Sequence, residues 1–133
     1  HPEGGYYKEY YRSELTVINK NGDKRSAATA IHYLLEKGNF SCFHRIQSDE
    51  GWHFYRGSEV LVYIINPETG KEEVIHLNKD NPVYVVPATW WFAAECVEAY
   101  GHVGCTVAPG FDFNDFEMAT YDNLIKEFPK ANK

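Results

Sequence analysis

The chain has 133 residues, of which 44% are apolar and 24% charged, and this composition fits one globular domain. Its net charge is −6 and its 13 basic residues are scattered rather than arranged in a stripe, which disfavours nucleic acid and anionic membranes as partners. Apolar runs such as Val60–Ile65 are too short to span a bilayer.

Turn signals recur along the chain at short intervals, a spacing typical of an all-β sandwich or barrel. The first predicted strand is the tyrosine-rich segment Tyr6–Arg12. Residues 15–19 form the next strand and lead into Asn21-Gly22, a pair that strongly favours a β-hairpin. We therefore expect an antiparallel start to the domain.

Residues 26–37 are ambiguous. Their alanines and the run Leu34-Leu35-Glu36-Lys37 before Gly38 favour a helix with a glycine cap. The neighbouring segments are strands, however, and we predict a strand over residues 29–35.

Two further hairpins are predicted in the second half of the chain. Val60–Ile65 and residues 73–77 flank a turn at residues 66–70, and Val83–Val86 follows as a single strand that ends at Pro87. Residues 90–97 and 102–107 are predicted to form the third strand pair of the chain.

In the C-terminal segment the apolar residues recur with the period of a helix instead of that of a strand. Tyr121, Leu124, Ile125 and Phe128 fall at i, i+3, i+4 and i+7, and Pro129 follows them. This pattern predicts a short helix that packs on the outside of the barrel.

Three motifs resemble the DUF985 (cupin 5) family of the cupin superfamily. They are HPEGGYY at residues 1–7, SDEGWHFYRG at residues 48–57 and VGCTVAPGFDF at residues 103–113. The resemblance extends to about residue 117. It implies a double-stranded β-helix (jelly-roll) barrel that fills residues 1–133 as a single cupin domain, with a strand at residues 29–35. Members usually form dimers and are often labelled sugar-epimerase-like because of their shape.

The pattern of a metal-binding cupin is only half present. Such proteins usually offer two histidines at H-x-H, a glutamate and a later histidine. His44 fits the first histidine and Glu50 the glutamate, but Ile46 stands at the second histidine. In the later motif P-x-G-x-x-H, Thr89 replaces the glycine and Phe92 the histidine.

Since isoleucine and phenylalanine cannot bind a metal, we predict no cofactor. A divalent metal at His44 and Glu50, completed by His53, is the alternative. It has a parity problem, because Glu50 and His53 are three residues apart and face opposite sides of a regular strand.

His44 and Glu50 are the candidate catalytic residues of a metal-independent isomerase or epimerase that acts on a sugar-like keto substrate. A histidine has a pKa near working pH and suits the role of a base, while Glu50 or Asp49 would fix its tautomer. The acid would be a tyrosine, with Tyr55, Tyr63 and Tyr84 as candidates. The alternatives are a barrel that binds a small ligand without chemistry and a structural hydrogen bond at His44.

The predicted ligand is a nucleotide-sugar or another carbohydrate. Trp90 shares its parity with Phe92, so Trp90 and not Trp91 should face the interior. Arginines suit phosphate groups, and Arg45 is one of three that could hold them, beside Arg12 and Arg56. The predicted ligand-binding residues are Arg45, Ile46, Tyr63, Trp90 and Phe92.

The remaining expectations concern assembly and location. Tyr6–Arg12 should be an edge strand that pairs across a homodimer. Cys42, Cys96 and Cys105 have no zinc-site or C-x-x-C spacing, which indicates reduced thiols and a cytoplasmic protein. Because the chain starts at His1 rather than methionine, we expect further residues before it in the full protein.

Overall fold

The computed structural model describes residues 4–120. This part contains a 3-10 helix at Phe113–Asp115 and twelve strands. The strands are β1 (Tyr6–Arg12), β2 (Thr16–Ile18), β3 (Lys24–Ser26), β4 (Thr29–Glu36), β5 (Phe40–Arg45), β6 (Asp49–Gly57), β7 (Val60–Ile65), β8 (Glu72–Leu77), β9 (Val83–Val86), β10 (Trp91–Cys96), β11 (Tyr100–Ala108) and β12 (Glu117–Met118).

Two five-stranded antiparallel sheets make up the barrel. One has the order β1-β4-β11-β6-β9 and the other the order β12-β5-β10-β7-β8, while β2 and β3 form a separate hairpin. A core cluster that includes Leu35, Trp52, Val62 and Phe92 draws residues from both sheets. Inward residues alternate with outward ones in regular stretches such as residues 32–36 of β4, as the pleat requires. The all-β jelly-roll prediction is confirmed.

The ambiguous segment at residues 26–37 contains strand β4, as predicted. Tyr33 and Leu35 are buried while His32 and Glu36 are exposed, a period of two that no helix produces. β4 pairs with β1 on one side and β11 on the other. Tertiary pairing therefore overrides the helix propensity of the alanines and leucines.

Two predicted hairpins are confirmed and the third is wrong. β2 pairs with β3, and β7 pairs with β8. β10 instead pairs with β5 and β7, whereas β11 pairs with β4 and β6. The reason is that the connection between β10 and β11 passes from one sheet to the other, which a local turn signal does not reveal.

The turn before β10 explains the glycine of the metal-cupin pattern. Thr89 has φ of +71°, in the left-handed region that glycine adopts most easily. Its amide donates to the carbonyl of Ile46 at 2.9 Å. This strained turn aligns β10, so that Phe92 lies opposite His44 on β5.

The predicted C-terminal helix starts at Tyr121 and lies outside the described residues. Between Gly4 and Thr120, no helix is long and apolar enough to cross a membrane.

Candidate functional site: an open cavity between the two sheets

A cavity of about 520 Å³ opens between the sheets, a volume within the usual range of small-molecule sites. Ile31 and Tyr33 on β4, and Cys105 and Val107 on β11, line one wall because residues two apart share a face. His44 on β5 reaches the cavity from the other sheet. The loop at residues 111–114 forms part of the mouth.

A β-bulge brings two charged residues of β1 into the cavity wall. Glu9 and Arg12 are three residues apart, but the register of β1 against β4 shifts between Glu9 and Tyr11. The extra residue turns Arg12 to the face that Glu9 occupies, and both line the cavity. Sequence alternation gives no signal for this.

The Arg12 guanidinium binds both oxygens of Glu9. Nε lies 3.0 Å from Oε2 and Nη2 lies 2.7 Å from Oε1. Nη2 also donates to the carbonyl of Phe111 at 3.2 Å. The hydrogen bond to Glu9 raises the pKa of Arg12. Arg12 thus ties the edge strand to the loop at the mouth.

His44 is buried in an apolar setting. Its ring centroid lies 4.2 Å from that of Phe92 and 5.3 Å from that of Phe116, and only 2% of the residue is exposed. Burial lowers the pKa of His44 to about 4, against the smaller opposing effect of a backbone hydrogen bond. The imidazole is therefore neutral at physiological pH.

A backbone carbonyl holds Nδ1 of the His44 ring. Nδ1 lies 2.8 Å from the carbonyl oxygen of Cys42, and because a carbonyl only accepts, Nδ1 carries the proton. Nε2 is then the nitrogen with a lone pair. The prediction that Glu50 or Asp49 fixes this tautomer is wrong at Nδ1, and Asp49 instead accepts from the amide of Ala88 at 2.8 Å.

Glu50 reaches the same cavity from β6, in the sheet that faces His44. It is only 9% exposed. His53 lies on the opposite face of β6, as its parity predicted, with Nε2 3.0 Å from Oγ1 of Thr106. The fold therefore brings His44 and Glu50 to one cavity and keeps His53 out of it.

The other predicted ligand-binding residues divide into two groups. Ile46 lines the cavity, while Arg45, Tyr63, Trp90 and Phe92 are not among its lining residues. The Arg45 guanidinium lies 4.4 Å from the Trp91 ring centroid, and its Nε is 3.0 Å from Oε1 of Glu117.

Tyr63 and the tryptophans have other partners. Tyr63 donates its hydroxyl proton to Glu95. Trp90 packs against the core cluster that contains Phe92, whereas Trp91 belongs to a second cluster with Ile65. Trp90, which precedes β10, and Trp91, its first residue, thus pack in different clusters, as expected.

The side chains available do not fit a metal site of the usual cupin kind. In the described part of the chain, no group of three or more histidine, cysteine, aspartate or glutamate side chains is placed to hold one ion. Phe92 fills the position opposite His44, and Ile46 fills another. Of the four ligand positions in the usual cupin pattern, His44 and Glu50 are the two that keep a ligand side chain in the described cavity.

The fold and the cavity define a small-molecule-binding protein of the cupin type. The family model described as "Cupin superfamily (DUF985)" matches residues 1–119, and the chain belongs to that family.

Two solved structures support this assignment. The chain is similar to a hypothetical protein from Leishmania major, with 30% identity and a TM-score of 0.90, covering 98% of this chain and 86% of that one. It is also similar to a protein from Shewanella oneidensis, with 34% identity and a TM-score of 0.86, covering 98% and 83%. No curated protein matches the chain.

A more distant likeness concerns the fold alone. Oxalate decarboxylase from Bacillus subtilis superimposes with a TM-score of 0.67 at 15% identity, covering 96% of this chain and 33% of that protein. At this identity the comparison supports the jelly-roll architecture alone. Any argument about chemistry must come from the residues that line the cavity.

Proposed function

We propose that this protein binds a small molecule in the cavity and needs no metal ion held by the protein. The observation that carries the proposal is the meeting of His44 and Glu50 from facing sheets in one space of about 520 Å³. His44 lines this space and would contact the ligand there, while its Nδ1 stays bonded to the carbonyl of Cys42. Apolar side chains such as Ile31 and Val107 would cover the rest of the ligand.

Thermal-shift screening tests this proposal. A ligand that binds the folded state raises the melting temperature, and mass spectrometry should recover it unchanged. The shift should disappear in His44→Gln and persist in His76→Gln, a matched change at an exposed histidine of β8. A broad panel without a single hit would refute the proposal, as would hits that His44→Gln leaves unaffected.

A second candidate is metal-independent isomerisation or epimerisation of a sugar-like keto substrate. It is favoured by the placement of a neutral imidazole and a carboxyl group on facing sheets, from which protons can be exchanged with opposite sides of a ligand. The tyrosines suggested as the acid, Tyr55, Tyr63 and Tyr84, are not cavity-lining residues, whereas Tyr7 and Tyr33 are.

Solvent exchange separates the two candidates. Free and nucleotide-linked keto sugars incubated with the protein in deuterated water should gain deuterium next to the carbonyl if the protein is an isomerase. His44→Gln should abolish the exchange and His76→Gln should not. If the wild type exchanges no more than buffer does across the panel, the protein binds without catalysing this reaction.

We also propose that β1 forms a homodimer contact with a second copy of the chain. β1 is at the end of its sheet, and all seven of its residues are exposed. Its tyrosines are between 45% and 60% exposed, which is unusual for large aromatic side chains outside an interface.

Sedimentation tests the dimer. Wild type should sediment as a dimer at micromolar concentration, Tyr10→Lys as a monomer, and Val74→Lys, a change at an exposed site on β8, as a dimer. A monomeric wild type would contradict the proposal.

A further inference from the structure

An open trough of about 280 Å³ lies on the outer face of the β1-β4-β11-β6-β9 sheet. Four strands each contribute one basic side chain to it: Lys8 on β1, His32 on β4, His102 on β11 and Arg56 on β6. No carboxylate is among the lining residues that the structure describes. In a chain whose net charge is −6, this outer trough is a local concentration of basic groups.

A β-bulge in β6 aims Arg56 into the outer trough. Arg56 pairs with His102 of β11, and two residues further along β11 Gly104 pairs with His53. His53 and Arg56 are three residues apart, so one residue between them is extra, and the shifted register turns Arg56 to the outer face. Gly104 leaves room for the ring of Tyr55, which a Cβ at that position would meet. The placement of Arg56 is therefore built into the sheet.

The bonded side chains of the outer trough form a chain of donors. Arg56 only donates, so Nδ1 of His102 accepts at 3.2 Å and Nε2 of His102 donates to Nδ1 of His32 at 3.1 Å. In its neutral form His32 then carries its proton on Nε2. Within residues 4–120, this Nε2, the two Nη groups of Arg56 and the ammonium of Lys8 have no hydrogen-bond or ion-pair partner. The trough thus presents two positive charges and several N–H donors.

Aromatic rings hold the two imidazoles in place. The Tyr10 ring centroid lies 4.8 Å from that of His32, and the Tyr55 ring meets His102 edge to face at 5.2 Å. Groups that are already ordered lose less entropy when a ligand binds. Burial, the charge of Arg56 and the neighbouring His32 all lower the pKa of His102. An anion bound beside it would act in the opposite direction.

We propose that the outer trough is a second binding site, which takes a doubly charged oxyanion of the phosphate type, either free or as the phosphate group of a small ester. Arg56 and Lys8 supply the positive charge, and guanidinium and ammonium groups are the usual partners of such oxyanions. Nε2 of His32 supplies a directed N–H, and His102 positions both His32 and Arg56. The inference uses no residue of the proposed cavity site at His44 and does not depend on the proposed dimer.

An NMR titration of the histidine side chains with inorganic sulfate tests the site, because sulfate keeps its double charge at every pH near neutrality. We expect saturable shifts at His32 and His102 in the millimolar range or below, and none at His76 of β8. Sodium chloride at the same ionic strength should not reproduce them, since it screens without binding. The pKa of His102 should be higher with sulfate than with chloride.

Charge-removing variants locate the site. Arg56→Gln and Lys8→Gln should each raise the dissociation constant of sulfate at least about threefold. Lys71→Gln removes the same charge from the turn between β7 and β8 and should leave the constant unchanged. Inorganic phosphate and phenyl phosphate then distinguish the two sources: tighter binding of phenyl phosphate assigns the site to an ester, and equal binding assigns it to the free anion.

Three results would overturn the inference: no saturable shift at His32 and His102, equal shifts with chloride, or equal dissociation constants in all three lysine and arginine variants. A pKa of His102 that sulfate leaves unchanged would also contradict it. None of these results bears on the cavity, whose ligand is tested through His44.

Discussion

Two histidine environments on opposite sides of the barrel wall show how differently the same side chain can be held. His44 lies inside, between Phe92 and Phe116, and its Nδ1 is bonded to a backbone carbonyl. His102 lies on the outer face of the β1-β4-β11-β6-β9 sheet, in a chain of side-chain hydrogen bonds. Arg56 donates from Nε to its Nδ1 at 3.2 Å, so its Nε2 carries the proton and donates to His32 at 3.1 Å.

Both histidines have a lowered pKa, but the causes differ. At His44 the cause is burial alone. At His102 partial burial is joined by the charge of Arg56 and by the neighbouring His32. The packed interior therefore sets the protonation state of His44, whereas at His102 the charge of Arg56 and the neighbouring His32 add to the larger effect of burial.

The largest effect is expected from opening the interior around His44. Phe92→Ala removes a ring that is 1% exposed and contacts both His44 and Trp52, so the free energy of unfolding should fall by about 3–5 kcal/mol. Urea denaturation measures it. Val74→Ala, at a residue that is 41% exposed, should cost less than about 0.5 kcal/mol. A loss below about 1 kcal/mol in Phe92→Ala would show that the interior is loosely packed.

The next effect is the pH dependence that burial of His44 creates. Its native pKa of about 4 lies below the ordinary value of about 6.5, so between these values the unfolded state binds more protons. Stability is therefore fully present above pH 6.5 and is lost as the pH falls towards 4, by roughly 3 kcal/mol in total.

Unfolding curves between these two pH values test this. The slope of the unfolding free energy against pH should be smaller in His44→Gln than in wild type. Val74→Ala, which removes no ionisable group, should retain the wild-type slope. Equal slopes in all three proteins would contradict a buried neutral His44.

A smaller change is expected at the turn that aligns Phe92 with His44. Thr89 is β-branched and adopts φ of +71°, so Thr89→Gly should stabilise the protein by up to about 1 kcal/mol in chemical denaturation. Ala88→Gly, at the preceding residue, should instead destabilise it by about 0.5–1 kcal/mol. A loss of stability in Thr89→Gly would mean that the bonds of Thr89 outweigh its backbone strain.

The smallest effect concerns the outer face. Arg56→Gln removes the cation beside His102, so the pKa of His102 should rise in an NMR titration, while stability changes by less than about 0.5 kcal/mol. Lys71→Gln, in the turn between β7 and β8, should leave the titration of His102 unchanged. An unaltered pKa of His102 in Arg56→Gln would assign the shift to burial alone and make the two histidines alike.

Local sequence signals were sufficient for much of the fold. Turn residues and two-residue alternation predicted β1, β7 and β9 with their observed bounds, and the Asn21-Gly22 turn predicted the β2–β3 hairpin. Alternation also predicted that Trp90 and Trp91 point to different sides and that His53 faces away from Glu50, and both predictions agree with the structure. These features depend on neighbours within one strand or turn, which a sequence displays directly.

Three features could be established only from the tertiary structure. The bulge in β1 that turns Arg12 towards Glu9 depends on the register against β4, and the tautomer of His44 depends on how β5 presents the carbonyl of Cys42. The predicted β10–β11 pairing was wrong for the same reason. Packing between distant segments determines which sheet each strand joins. The sequence by itself predicted an all-β domain from its turn signals, and its resemblance to the cupin family implied the barrel and singled out His44 and Glu50. Only the tertiary structure decided what surrounds that pair, because charge, burial and register arise from residues far apart in the chain.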